Sequence, residues 1–215
     1  MQATMAPSQD VLSGLKIIPS PFQVQTINKI QWPPQGQWTY EDYQRLPDDT
    51  NRYEIIQGVL YVASAPRFRH QYVVQILLRL LGSYIEEHDM EIVIPAPFEV
   101  HLSAVSRPVQ PDLFFIQHGN QSLGDDTEFR GVPDMVIEVL SPSTWRTDRT
   151  AKFAAYELAG VQEYWIVDPQ TRAVEVHVLT NGFYQLYTQT MGDDELNSPL
   201  FPDVAIQVSR LFPQN

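Results

Sequence analysis

The chain contains no cysteine, which excludes disulfides and thiolate metal ligands. No apolar run approaches the length that spans a bilayer, and the N-terminus lacks an apolar core of signal-peptide length. A cytoplasmic location without a membrane partner is the expectation. Basic residues are scarce: 14 Lys and Arg face 26 Asp and Glu, a net charge of −12. That argues against a broad nucleic-acid groove, which needs a basic face, but leaves room for a small local contact. The deficit is uneven, because residues 161–215 hold seven acids and two arginines, so the C-terminal third is not expected to touch phosphates. Lysine is scarcest, with Lys16, Lys29 and Lys152 against eleven arginines. No histidine pair has zinc-ligand spacing, and neither a serine-centred elbow nor a phosphate-binding glycine loop is present.

At 215 residues the chain suits one domain with extensions and can bury a real core. Residues 1–36 read as an N-terminal arm, rich in Gln and Pro, and 37–215 as a single domain. Trp32-Pro33-Pro34 cannot continue a helix. Ile17, Ile18, Phe22 and Trp32 are apolar enough to dock on a second copy, so a homodimer is expected; the plainer reading is a partly ordered tail.

Thr39-x-x-Asp42 resembles a capping box opening a short helix that Leu46-Pro47 ends. Apolar runs at 53–56 and 59–62 flank Gln57-Gly58 and read as a hairpin. Residues 67–88 carry the longest helical stripe: Val73, Ile76, Leu77, Leu80, Leu81, Tyr84 and Ile85. Strands are expected at 91–100, 111–116 and 134–140, with a polar loop at 117–131. Thr147 or Asp148 can cap a second helix that Gly160 ends. A strand at 163–167, a hairpin of 173–179 and 183–188 about Asn181-Gly182, and a last strand at 204–208 follow. The fold class is α/β (α+β): helix, three-strand meander, helix, strand, with extra β-hairpins. The second helix crosses over to set 163–167 parallel to 134–140.

Three carboxylates interrupt apolar strands: Glu54, Asp112 and Glu138. An ionised carboxylate there is costly unless a partner or a metal compensates it. In a meander the start of one strand lies beside the end of the next, so Asp112 and Glu138 should converge. Lys152 follows on the next helix, which runs antiparallel to the strand and can bring it level with Glu138. Asp148, Lys152 and Tyr156 share a helix face at spacing four, so an Asp148–Lys152 pair is the plain alternative. Glu54, taken alone, reads as a surface-facing strand residue. Arg67, Arg69 and His70 cluster where the long helix starts; a solvated first turn is the plain reading for Arg67, and His70 is open. Arg146 and Arg149 are the cations expected nearest the site for phosphate contact; solvated pairs with acids such as Asp148 are the alternative.

These pieces carry a resemblance. Tyr53-Glu54-Ile55-Ile56-Gln57-Gly58, His70, Pro111-Asp112-Leu113 and Glu138-Val139-Leu140-Ser141-Pro142-Ser143-Thr144 come first. Asp148, Lys152, Tyr156 and Gly160-Val161-Gln162-Glu163-Tyr164-Trp165 complete a series that resembles the Uma family of endonuclease-like proteins. That family sits in the restriction-endonuclease-like PD-(D/E)XK superfamily, and the likeness spans about residues 38–190. It implies the restriction-endonuclease-like fold, Asp112, Glu138 and Lys152 as catalytic residues, and Mg²⁺ or Mn²⁺ held by Asp112 and Glu138. Glu54 and His70 are possible additions to the site. The implied reaction is hydrolysis of nucleic-acid phosphodiester bonds. One departure from the wider superfamily stands out: the lysine expected two positions after the glutamate is Leu140, which cannot stabilise an anion. In the Uma pattern Lys152 takes that role. The alternatives are a catalytically silent dimeric binding module of the same fold, favoured by the missing basic groove, and a hydrolase of another phosphoester.

Overall fold

The computed structural model describes residues 31–104, 106–119 and 123–213, so Lys16, Ile17, Ile18, Phe22 and Lys29 lie outside the described residues. In chain order the elements are α1 (Tyr40–Tyr43), β1 (Arg52–Ile56), β2 (Val59–Ala63), α2 (Phe68–Glu87), β3 (Ile92–Pro95) and β4 (Glu99–His101). Then come β5 (Leu113–Ile116), β6 (Leu123–Asp125), β7 (Glu128–Arg130), β8 (Met135–Val139) and α3 (Trp145–Thr147). A π-helical turn (Asp148–Lys152) leads into α4 (Phe153–Ala159). The chain continues with β9 (Glu163–Asp168), β10 (Ala173–Thr180), β11 (Phe183–Met191), β12 (Glu195–Leu196), β13 (Ile206–Gln207) and a 3₁₀ turn, Val208–Leu211.

Six strands form the central sheet in the order β11-β10-β9-β8-β5-β3. β3, β5 and β8 make an antiparallel meander, and the α3–α4 crossover sets β9 parallel to β8. β8 and β9 are nearly continuous apolar runs because both faces of the sheet are covered. On one face lie Val73, Leu77, Leu81 and Ile85 of α2 with Phe201, Ile206 and Leu211 of the C-terminal segment. On the other lie Tyr156 of α4, Val100 of β4 and Phe129 of β7.

The β1–β2 hairpin stands outside this sheet and carries the chain before α1 on its back. Trp32 stacks on Trp38 with ring centroids 5.4 Å apart, and Gln35 bonds both backbone groups of Leu60, so Trp32 docks on its own chain. The turn requires glycine: Gly58 has φ of +72°, and a Cβ there would stand 2.6 Å from the Gly36 carbonyl oxygen.

Four expectations change. The strand expected over 91–100 is two strands, because Pro95 and Pro97 lack the N–H a ladder needs; β4 leaves the central sheet and pairs in parallel with β7. The loop expected over 117–131 contains β6 and β7, anchored by Phe129 beside Phe114 at 5.7 Å. The second helix starts at Trp145 rather than at 147 or 148, since the Ser141 carbonyl accepts from the Thr144 and Trp145 N–H groups at 3.2 and 3.0 Å. The last strand shrinks to Ile206–Gln207, paired with β12. Among the described residues no helix is long and apolar enough to cross a membrane.

Candidate functional site

β1 alternates its faces. Tyr53 and Ile55 pack with Trp38 and Leu60, which leaves Arg52 and Glu54 together on the opposite side. Glu54 is therefore buried, not surface-facing. Asp112 immediately precedes β5, and the Leu113↔Ile137 pair sets it one step on, opposite Glu138. His70 arrives from the first turn of α2, and Lys152 from the π-helical turn.

These side chains form one buried cluster. Asp112 Oδ1 accepts from Arg52 Nη1 at 3.1 Å; its Oδ2 accepts from the Val139 N–H at 2.9 Å and lies 2.9 Å from His70 Nε2. Glu138 Oε1 accepts from Lys152 Nζ and from the Tyr156 hydroxyl, each at 2.8 Å. Lys152 Nζ also stands 3.0 Å from Glu54 Oε1, which accepts from the Gln110 N–H at 2.6 Å. Asp148 lies 3.9 Å from the same ammonium, and its buried oxygens have only a weak contact from the Thr144 side chain, outside good hydrogen-bond geometry. The Asp148–Lys152 pair is thus the weak one, and the ammonium turns to Glu138 and Glu54. The π-helical turn widens the helix here, and the Tyr164 hydroxyl bonds the Asp148 carbonyl at 3.0 Å.

Charge does not balance in this pocket. Glu54, Asp112, Glu138 and Asp148 offer four carboxylates against the two cations Arg52 and Lys152, an excess of two negative charges when His70 is neutral. The imbalance appears in the proton affinities. Burial, with the charges of Asp112 and Glu54, pushes Glu138 up to about 7 despite Lys152. Burial beside Glu138 lifts Asp148 well above the usual carboxylate range. Burial also opposes ionisation of Asp112, but the His70 hydrogen bond and the Arg52 charge override it and hold Asp112 well below that range. Lys152 keeps its proton: burial disfavours the charge, yet Glu138 and Glu54 raise its pKa.

Carboxylate oxygens and an imidazole are donors of the kind that hold a divalent cation. The formal excess of two charges, counted with all four carboxylates ionised, equals that of such an ion, and the buried oxygens of Asp148 have no well-formed hydrogen bond. The chain's own cations occupy part of the space. Among the described residues no three of these acids and His70 bring ligand atoms within 4.8 Å of one another; Glu99, His101 and Glu128 do so elsewhere.

The other expected cations go elsewhere. Arg149 makes a two-pronged pair with Glu175 at 2.9 and 2.8 Å, not with Asp148. Arg146 lies over the Trp145 ring at 5.1 Å and is exposed. Arg67 and Arg69 are exposed. Sequence reasoning missed Arg52, although it stands two residues before Glu54 and strand alternation puts both on one face.

The family described as "Uma2: Putative restriction endonuclease" matches residues 40–209. Among solved structures, the crystal structure of "a putative nuclease belonging to DUF820 from Anabaena variabilis ATCC 29413" is similar with a TM-score of 0.67 at 18% sequence identity. The likeness covers 81% of this chain and 97% of that one, and it is a likeness of fold. No curated protein matches.

Proposed function

The chain belongs to the Uma2 restriction-endonuclease-like family, and from that premise we propose that it is a metal-dependent endonuclease hydrolysing phosphodiester bonds of nucleic acid. The observation that carries this reading is the convergence of four buried carboxylates, Glu54, Asp112, Glu138 and Asp148, on two cations, Arg52 and Lys152, a formal excess of two negative charges that raises the pKa of Glu138 and Asp148. Mg²⁺ or Mn²⁺ held by Asp112 and Glu138 would offset that excess, neutralise charge on the phosphodiester and make bound water more acidic. The chain's residues do the rest. His70 and the Val139 N–H orient the Asp112 carboxylate. The Tyr156 hydroxyl, kept protonated by burial and by Glu138, fixes Glu138 Oε1. Lys152, anchored between Glu138 and Glu54, offers a compact positive charge to the anion that forms at phosphorus. Leu140 is buried in the core and leaves that role to Lys152.

The test is a titration with Mg²⁺ and Mn²⁺ followed by nicking assays on supercoiled DNA, single strands and RNA. Cleavage that requires the cation and disappears in Asp112→Asn supports the reading. Absence of cleavage on all three substrates overturns it. A second reading, a binding module that kept the fold without its activity, draws on the burial of Glu138 and Lys152, each 1% exposed, and on the net charge of −12. Cation-independent nucleic-acid binding without cleavage would establish that alternative. Self-association is a separate proposal, resting on Ile17, Ile18 and Phe22 of the N-terminal arm, since Trp32 is taken up by its own chain; sedimentation as a monomer at micromolar concentration would overturn it.

A further inference from the structure

β4 and β7 run parallel, and their register sets Glu99 directly opposite Glu128, with His101 two residues further along β4. Like charges on facing positions of a ladder are unfavourable unless something positive lies between them. The three side chains converge. His101 Nε2 lies 3.2 Å from Glu99 Oε2 and 3.1 Å from Glu128 Oε2. A ring nitrogen carries at most one proton, so Nε2 cannot give full hydrogen bonds to both oxygens. In the absence of a metal one proton on Nε2 is shared between the two oxygens; a metal ion that displaces it would meet the Nε2 lone pair and two carboxylate oxygens as a ready ligand set. Two ligands at about 2.0–2.1 Å from one ion stand roughly 3.0–3.4 Å apart, the spacing found here.

The outer oxygens are already held. Tyr43 donates to Glu99 Oε1 at 2.7 Å, and Arg130 holds Glu128 Oε1, which leaves each Oε2 facing His101. Tyr40 adds a bond to Glu99 Oε2 at 3.2 Å. Groups that orient ligands from behind in this way are typical of metal centres. Arg130 does not fill the gap, because its side chain is 68% exposed and approaches the far oxygen. A surface cavity lined by Tyr40, His101, Ser103, Arg107 and Arg130 opens onto the histidine, so solvent reaches the edge of the trio.

We propose that Glu99, His101 and Glu128 form a binding site for one divalent transition-metal ion of the Zn²⁺ class, separate from the cluster at Asp112. Imidazole with two carboxylates suits Zn²⁺, whereas Mg²⁺ and Ca²⁺ favour all-oxygen shells. The proposal does not depend on nuclease activity. The test is calorimetric titration of ZnCl₂ into the metal-stripped full chain carrying Asp112→Asn and Glu138→Gln, which removes the first cluster's charge. One Zn²⁺ per chain is expected, lost on adding His101→Gln, and weakened about 10–100-fold by Tyr43→Phe. The unaltered chain provides a second readout: one equivalent of Zn²⁺ should shift the His101 Nε2 resonance in imidazole ¹⁵N NMR. Stoichiometric binding that His101→Gln leaves intact, an unmoved His101 resonance, or no stoichiometric binding would each overturn the site.

Discussion

Lys152 Nζ stands 2.8 Å from Glu138 Oε1 across fourteen residues of sequence, with both side chains fully enclosed. The contact joins the end of β8 to the π-helical turn of the crossover, so the unit that makes the fold also makes the site. A buried ion pair is weak evidence for stability by itself, because desolvation offsets most of the attraction. Three further carboxylates crowd the pair and add to its cost, which is consistent with the proposed role in catalysis.

Lys152→Ala should therefore both destabilise the chain and abolish cleavage. Removing one partner leaves Glu138 and Glu54 buried without their cation, a loss of about 3–5 kcal/mol. Lys152→Met combined with Glu138→Gln should recover much of that loss in urea unfolding, since both charges go, yet remain inactive. Parental cleavage by Lys152→Ala, or a double variant no more stable than Lys152→Met, would remove the argument.

Arg146 and Arg149 should separate in a salt titration. Arg149 is tied to Glu175 by two bonds, whereas Arg146 is exposed over Trp145. Arg146→Ala is expected to weaken nucleic-acid binding and lower the salt slope by about one contact. Arg149→Ala should leave binding unchanged and cost roughly 1 kcal/mol of stability. Equal effects of both variants on binding would contradict this division.

Much of the fold was legible in the residues because its signals are local. The Asn181-Gly182 turn, the α2 stripe and Gly160 in its left-handed conformation each specify one element. What was not legible depends on distant partners. β6 and β7 are held by Phe129 against Phe114, a contact no local period encodes. At the site, carboxylates in apolar strands pointed to Asp112 and Glu138, because burial makes such residues costly. Glu54 read as surface-facing because nothing in its own strand shows that Lys152 arrives from another element. Arg52 was overlooked for the same reason. The trio Glu99, His101 and Glu128 needed a parallel pairing of two three-residue strands that sequence pattern does not reveal.

Gly58→Ala tests the docking of residues 32–38 on the hairpin. The left-handed φ costs a non-glycine residue about 1–3 kcal/mol. Here the new methyl also meets the Gly36 carbonyl at 2.6 Å. Gly182→Ala is the control, with φ of +84° and no atom within 4 Å of the added carbon. Gly58→Ala should lower the melting temperature more than the control; equal losses would mean that the segment yields freely.

The last prediction concerns pH. Burial and neighbouring carboxylates push folded Glu138 up to about 7 from its ordinary value of 4.5. Between those values the folded chain keeps a proton that the unfolded chain has released. The stability this group contributes is fully present below about pH 4.5 and is lost as pH rises through about 7, with a slope of up to ~1.4 kcal/mol per pH unit. Asp148 and Glu163, both raised by burial, act in the same direction. His177, lowered by burial, acts oppositely near its ordinary value of 6.5. Asp112 lies outside this window, because its depressed pKa gives stability that is lost only in acid. The difference between the parent and Glu138→Gln isolates the one group, since glutamine keeps the shape and can still accept from Lys152 and Tyr156. Urea unfolding from pH 5 to 7.5 should show the parent losing stability relative to the variant. Saturating Mg²⁺ should reduce that loss, because a bound cation favours the ionised carboxylate. Parallel pH profiles for the two proteins would show that Glu138 is ionised throughout, and the charge-excess argument for a cation at this cluster would lose its main support.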